Sequence, residues 1–186
     1  MWKSLKLFVI FVITVLLLIW IVNYIGTKGF LFAWILNFIL MTCVFMFTET
    51  LKSQFESDYY KEQNWEKSGK IYRSLGINLY RKLLVLVGWE KLNKKANPVN
   101  KNVDALLHLL YRTKQSEFGH LIIMFIVTGF NIYAAMKYGI LESIWIFTLN
   151  ILLNFYPIIL QRYNRPRLQR ALGLYKEREG RSHNST

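Results

Sequence analysis

The sequence predicts an all-α integral membrane protein with four transmembrane helices and a cytoplasmic amphipathic, interfacial helical segment between spans two and three. Two observations predict it. The 53% apolar fraction is only slightly above that of an ordinary globular chain, but it is gathered into long uninterrupted runs. The 24 Lys and Arg, set against 11 Asp and Glu for a net charge of +13, lie almost entirely on one side of those runs. This balance argues against an acidic scaffold, a disordered polar chain or a neutral secreted domain. The lone cysteine, Cys43, excludes an intrachain disulfide framework and a Cys-based zinc site.

From Leu7 to Val22 only Thr14 interrupts the apolar run, and Leu5 to Ile25 reaches the ~20 residues needed to cross a bilayer. The apolar run is long and no A-x-A site follows, so this span reads as an uncleaved anchor. Gly26-Thr27-Lys28-Gly29 reads as a tight turn into the second span, Phe30 to Phe47, whose polar interruptions are Asn37 and Thr42. Leu121 to Met136 is shorter and continues a helix already under way. Ile140 to Leu160 is the fourth span. The chain thus divides into a first hairpin (1–50), an interfacial helical segment (51–120), a second hairpin with an Arg-rich end (121–172) and a polar tail (173–186). The tail from Arg178 reads as disordered.

Two basic residues precede the first span, 13 lie between Leu51 and His120, seven follow Leu160, and each hairpin turn holds one. The positive-inside rule then sets both termini and the middle segment on the cytoplasmic side of the membrane. Anionic lipid attracts the same charges, so membrane lipids are the expected partners. Nucleic acid is not, because no zinc-finger, RNA-recognition or helix-turn-helix pattern accompanies the charge. The oligomeric state is not legible.

In the middle segment, Asn97 to Asn102 with Pro98 marks a break. Before it, Ile71 to Trp89 reads as one amphipathic interfacial helix, with Leu75, Leu79, Leu83 and Leu86 set against Arg73, Arg81 and Lys82. After it, a helix capped by Asp104 runs through Glu117 and His120 into the third span. Glu117 and His120, three residues apart, share a helix face, whereas His108 lies away from both. Such a pair serves general base catalysis: a neutral imidazole deprotonates a hydroxyl while the carboxylate orients it or stabilises the imidazolium. Bonding to neighbouring interface groups is the bland alternative. A metal role is disfavoured, since a di-iron bundle needs a second Glu-x-x-His and more carboxylates.

Asn150, Asn154 and Gln161 form a polar stripe towards the cytoplasmic end of span four, where Pro157 kinks the helix and frees carbonyls. Four arginines follow between Arg162 and Arg170. A guanidinium grips phosphate bidentately, so Arg162, Arg165 and Arg167 are candidates to hold an acyl-CoA or a lipid pyrophosphate beside His120.

The string Gln161-Arg162-Tyr163-Asn164-Arg165-Pro166-Arg167-Leu168, with Asn154, Pro157 and Thr113-Lys114-x-x-Glu117-x-x-His120, resembles the glycosyl-4,4'-diaponeurosporenoate acyltransferase family. Asn64-x-Glu66-Lys67-x-Gly69-Lys70 is a weaker third match. The resemblance implies an enzyme of a bacterial inner, or plasma, membrane that esterifies the sugar of a glycosylated carotenoid with a fatty acid. On that basis His120 is the expected base and Glu117 its orienting group. Asn150, Asn154, Gln161, Asn164, Thr113 and Lys114 are expected to bind substrate, and the arginines to hold an acyl-CoA or acyl-lipid donor, with no cofactor. Arg112, Gln115 and Leu121 depart from the family pattern, which keeps a related glycolipid acceptor open. A non-enzymatic membrane-binding or assembly protein that recognises anionic headgroups is the competing reading.

Overall fold

The computed structural model describes residues 2–89, 91 and 102–183. Every regular element among them is helical: α1 (Trp2–Ile25), α2 (Gly29–Leu51), two short 3-10 turns (Asp58–Tyr60 and Asn64–Glu66), α3 (Ile71–Ser74), α4 (Ile77–Leu86), α5 (Val103–Tyr138), α6 (Ile140–Asn150), a π-helical turn (Ile151–Phe155) and α7 (Tyr156–His183). Four stretches are long and apolar enough to cross a membrane: α1, α2, α5 and the run Ile140–Arg178. The expected break at Asn97 to Lys101 lies outside the described residues.

The chain forms two compact units. The first comprises 1–54 and 117–158, and the second 55–116 and 159–186. In the first, α1 packs on α2 and α2 on α6. Its core is Ile21, Phe32, Ala33, Leu36, Leu40, Val44, Ile123, Val127, Ala134, Ile146 and Leu149. The outward residues of α1, including Phe8, Phe11, Leu16 and Trp20, stay exposed, as a lipid-facing helix requires. Lipid is as apolar as these side chains, so helix association here rests on packing and on buried polar contacts.

Three local expectations are revised. The span from Ile71 is not one helix, because Gly76 adopts φ 79 and begins α4 after α3 has ended at Ser74. A left-handed backbone is cheap only for glycine, so the break is written at that residue. Leu75, Leu79 and Leu86 nevertheless remain exposed while Tyr72 and Tyr80 are buried, which preserves the amphipathic pattern. The cap of α5 is Asn102, whose Oδ1 accepts from the Ala105 amide at 2.8 Å. Asp104 lies in the first turn, where its charge complements the helix dipole. Finally, α7 continues through the expected disordered tail to His183, since extending a nucleated helix costs little per residue. Residues 184–186 lie outside the description.

Candidate active site

In the first unit a chain of buried amides leads to His120. Asn37 of α2 donates to the Ala33 carbonyl at 2.8 Å, which leaves its Oδ1 as an acceptor. Asn150 donates to the Met124 carbonyl at 3.2 Å and to Thr128 Oγ1 at 3.0 Å, which leaves its Oδ1 as an acceptor too. Asn154 Nδ2 donates to both oxygens, at 2.8 Å to Asn37 and 3.0 Å to Asn150. Its orientation is therefore assigned twice over by the network, and its Oδ1 is the atom facing His120 Nδ1 at 3.3 Å. An amide oxygen accepts only, so Nδ1 carries the proton, and in the neutral ring Nε2 keeps the basic lone pair.

The backbone of the fourth span shapes this arrangement. The π-helical turn Ile151–Phe155 precedes Pro157, and Asn154 within it is fully buried. Proline has no N–H, so in an α-helical register the carbonyl four residues earlier, Leu153, loses its donor. His120 lies close to that carbonyl. The helical irregularity beside Pro157 is thus a π turn, a form common at functional sites. Glu117, expected to orient His120, is fully buried. The group on Nδ1 is Asn154.

In the second unit the arginines of the Gln161–Leu168 string build the fold. Glu66 Oε1 accepts from Arg162 Nη1 at 2.5 Å and from the Tyr72 hydroxyl at 2.6 Å, and Oε2 accepts from the Gln63 amide at 3.1 Å. Burial opposes ionisation of Glu66, but the hydrogen bonds from Tyr72, Arg162 and the Gln63 amide outweigh it and hold the carboxyl below its ordinary range. Arg162 Nη2 donates to the Tyr59 carbonyl at 2.9 Å, and its guanidinium lies 4.4 Å from the Tyr59 ring centre. Arg165 donates from Nη1 to the Tyr60 carbonyl at 3.2 Å and from Nε to Thr113 Oγ1 at 3.4 Å. Lys114 donates to the Phe55 carbonyl at 3.1 Å. Gln161 donates to Ser116 at 3.3 Å, apart from the Asn150 and Asn154 network, and Asn164 is half-buried.

The Asn64–Lys70 stretch explains itself against this string. Glu66 anchors Arg162, and Gly69 meets Tyr163. Gly69 sits at φ 78, and a Cβ there would lie 3.3 Å from the Tyr163 carbonyl oxygen and 3.4 Å from its Cα. Lys67 and Ser68 are also left-handed, at φ 47 and 56, held by the Ser68 amide donating to Glu62 at 2.8 Å. Gly69→Ala is therefore expected to destabilise the protein by about 2–4 kcal/mol, combining backbone strain with overpacking. Gly173→Ala, which meets nothing within 4 Å, is the control. Thermal unfolding in detergent measures both, and equal melting temperatures would refute the packing role of Gly69.

Asn37 and Tyr72 were not among the expected site residues. An amide inside an 18-residue apolar span was the available signal for Asn37, because a polar group in hydrocarbon needs an internal partner. For Tyr72 no pattern in the sequence points to Glu66.

A helical membrane protein with one histidine positioned by buried intramembrane amides, and with an arginine-rich second unit, is the class defined by this fold and site. A family model for glycosyl-4,4'-diaponeurosporenoate acyltransferases matches residues 56–174, and the chain belongs to that family. The matched region contains Glu66, His120, Asn154 and the whole Gln161–Leu168 string, while Asn37 lies outside it. No curated protein and no solved structure matches the chain.

Proposed function

We propose that the protein transfers a fatty acyl group to a sugar hydroxyl of a glycosylated carotenoid, with His120 as the general base. The family match carries the reaction class. The amide network supports the role of His120, because a tautomer with protonated Nδ1 presents Nε2 to a substrate proton. In this reading Nε2 removes the hydroxyl proton as the sugar oxygen attacks the acyl carbonyl. The donor's bond to the acyl group then breaks, and its thiolate or alkoxide takes the proton from the imidazolium. The step balances without a cofactor, the donor being an acyl-CoA or an acyl lipid. Asn154 positions the ring, and Glu117 lies fully buried one turn before it on the same helix. The distribution of basic residues supports cytoplasmic termini, and the exposed leucines at positions 75, 79 and 86 support an interfacial setting for that segment.

The test is mass spectrometry of lipid extracts from membranes containing the protein, supplied with a glycosylated carotenoid and either acyl-CoA or phospholipid. A fatty-acyl mass increment on the carotenoid, absent from membranes without the protein, is the expected result. Unmodified carotenoid together with another acylated lipid would move the acceptor to a different glycolipid, and no acylated product at all would reject the reading.

A further inference from the structure

Three guanidiniums of the second unit gather around one buried tyrosine, Tyr163 of α7, which is 4% exposed. Arg167, one turn further along α7, stacks 3.6 Å from its ring centre and donates from Nη1 to its carbonyl. Arg81 of α4 stands 5.7 Å from the same ring centre. Arg73 of α3 lies close enough to the phenol to act on it electrostatically. Among the described residues no carboxylate pairs with any of the three. Glu66, the buried acid of this unit, is held by Arg162, Tyr72 and the Gln63 amide.

The arrangement has the chemistry of an anion site. Like charges gathered without a counter-charge repel, and a bound anion turns that repulsion into attraction. Stacking on the aromatic ring holds a guanidinium plane in place without consuming all of its N–H donors, and those donors match phosphate oxygens in pairs. Arg73 and Arg81 are exposed and Arg167 is half-buried, so the heads remain accessible. Gly69 adds clearance, since a side chain there would begin 3.5 Å from Arg167 Nη1. Arg162 and Arg165 differ in being buried and bonded to Glu66, Thr113 and backbone carbonyls.

We propose that Arg73, Arg81 and Arg167, assembled on Tyr163, bind a phosphate or diphosphate ester. The diphosphate of a coenzyme A thioester and the headgroup of an anionic phospholipid share this chemistry. As the place that holds the acyl donor's phosphates, the site rests on the acyl-transfer reading; as an anion site it stands without it.

The test uses the full chain in phosphatidylcholine nanodiscs, titrated calorimetrically with free coenzyme A. Saturable binding is expected, weakened about tenfold or more by Arg73→Gln and by Arg81→Gln, the size of a lost charge-assisted contact. Lys82→Gln, an exposed neighbour of Arg81, should leave it unchanged. In a second arm, native mass spectrometry scores retention of phosphatidylglycerol over phosphatidylcholine. Selective retention lost in the Arg73→Gln/Arg81→Gln protein, with no coenzyme A binding, would support the site and assign it to a lipid headgroup. Absence of binding in both arms, or binding indifferent to both substitutions in protein of unchanged melting temperature, overturns the proposal. Turnover measured on the same samples separates the two readings: transfer without binding removes only the site, and binding without transfer removes only the enzymatic reading.

Discussion

Truncating Glu66 to alanine is expected to destabilise the protein by about 3–5 kcal/mol, and Arg162→Ala by a similar amount, because each leaves its partner charged and buried. Glu66 is 3% and Arg162 9% exposed, so water does not replace the lost contact. The Glu66→Ala change also strips an acceptor from Tyr72 and from the Gln63 amide. Replacing both ions together by apolar residues, Glu66→Leu with Arg162→Met, should cost clearly less than the sum of the single changes, since no orphaned charge remains. Chemical unfolding of the four proteins in detergent makes the comparison. An Arg162→Ala protein as stable as wild type but deficient in donor binding would return Arg162 to the role of a phosphate ligand.

The same pair sets a pH dependence. Glu66 ionises more readily folded than unfolded, so in acid the unfolded chain takes up the proton first. Its contribution is therefore complete above the ordinary glutamate pKa of about 4.3 and is lost as pH falls from there through the lower folded value. The melting temperature should drop over that interval, and Glu66→Gln should remove this part of the drop. A wild-type curve that the substitution leaves unaltered would refute the pairing.

His120→Ala is expected to lower acyl transfer by about 10²–10⁴-fold per folded molecule, the usual worth of a positioned general base. Asn154 keeps its bonds to Asn37 and Asn150 when the imidazole is removed, so the stability cost is confined to its one oxygen left without a donor, about 1–3 kcal/mol. Asn154→Ala is expected to behave differently. It leaves the oxygens of Asn37 and Asn150 without the donor they share, at about 1–3 kcal/mol for each unsatisfied buried group, and it frees the ring to adopt the other tautomer. Less folded protein and slower transfer per folded molecule should both follow. Turnover normalised to folded protein, by size-exclusion chromatography and product mass spectrometry, separates the two effects. Wild-type turnover in His120→Ala would end the base assignment, and full turnover per folded Asn154→Ala molecule would end the positioning role.

The candidate site was legible in its residue types more than in its pairings. Glu117 and His120 share a helix face by spacing alone, yet Nδ1 meets Asn154, 34 positions away. Asn150 and Asn154 follow from their spacing, but Gln161, placed on the same stripe, lies beyond a π turn and bonds Ser116. An inserted residue in the helical register rotates everything after it, and only the folded backbone reveals it. The arginines are legible as a group, and only the fold shows Arg162 and Arg165 bonded to Glu66, Thr113 and backbone carbonyls.

The sequence by itself determined the helical spans and the family blocks around His120 and Arg162. The spans are local properties: an apolar run near the bilayer thickness must become a helix to satisfy its own backbone. The break between α3 and α4 came only with the fold, which sets Gly76 in the left-handed conformation inside what reads as one amphipathic helix. The tertiary structure alone decided which charge meets which. Glu66 finds Arg162 across 96 residues, Asn37 finds Asn154 across 117, and three arginines from separate helices share Tyr163. A hydrogen bond forms over about 3 Å whatever the separation in sequence, so its partner is set by packing and not by spacing along the chain.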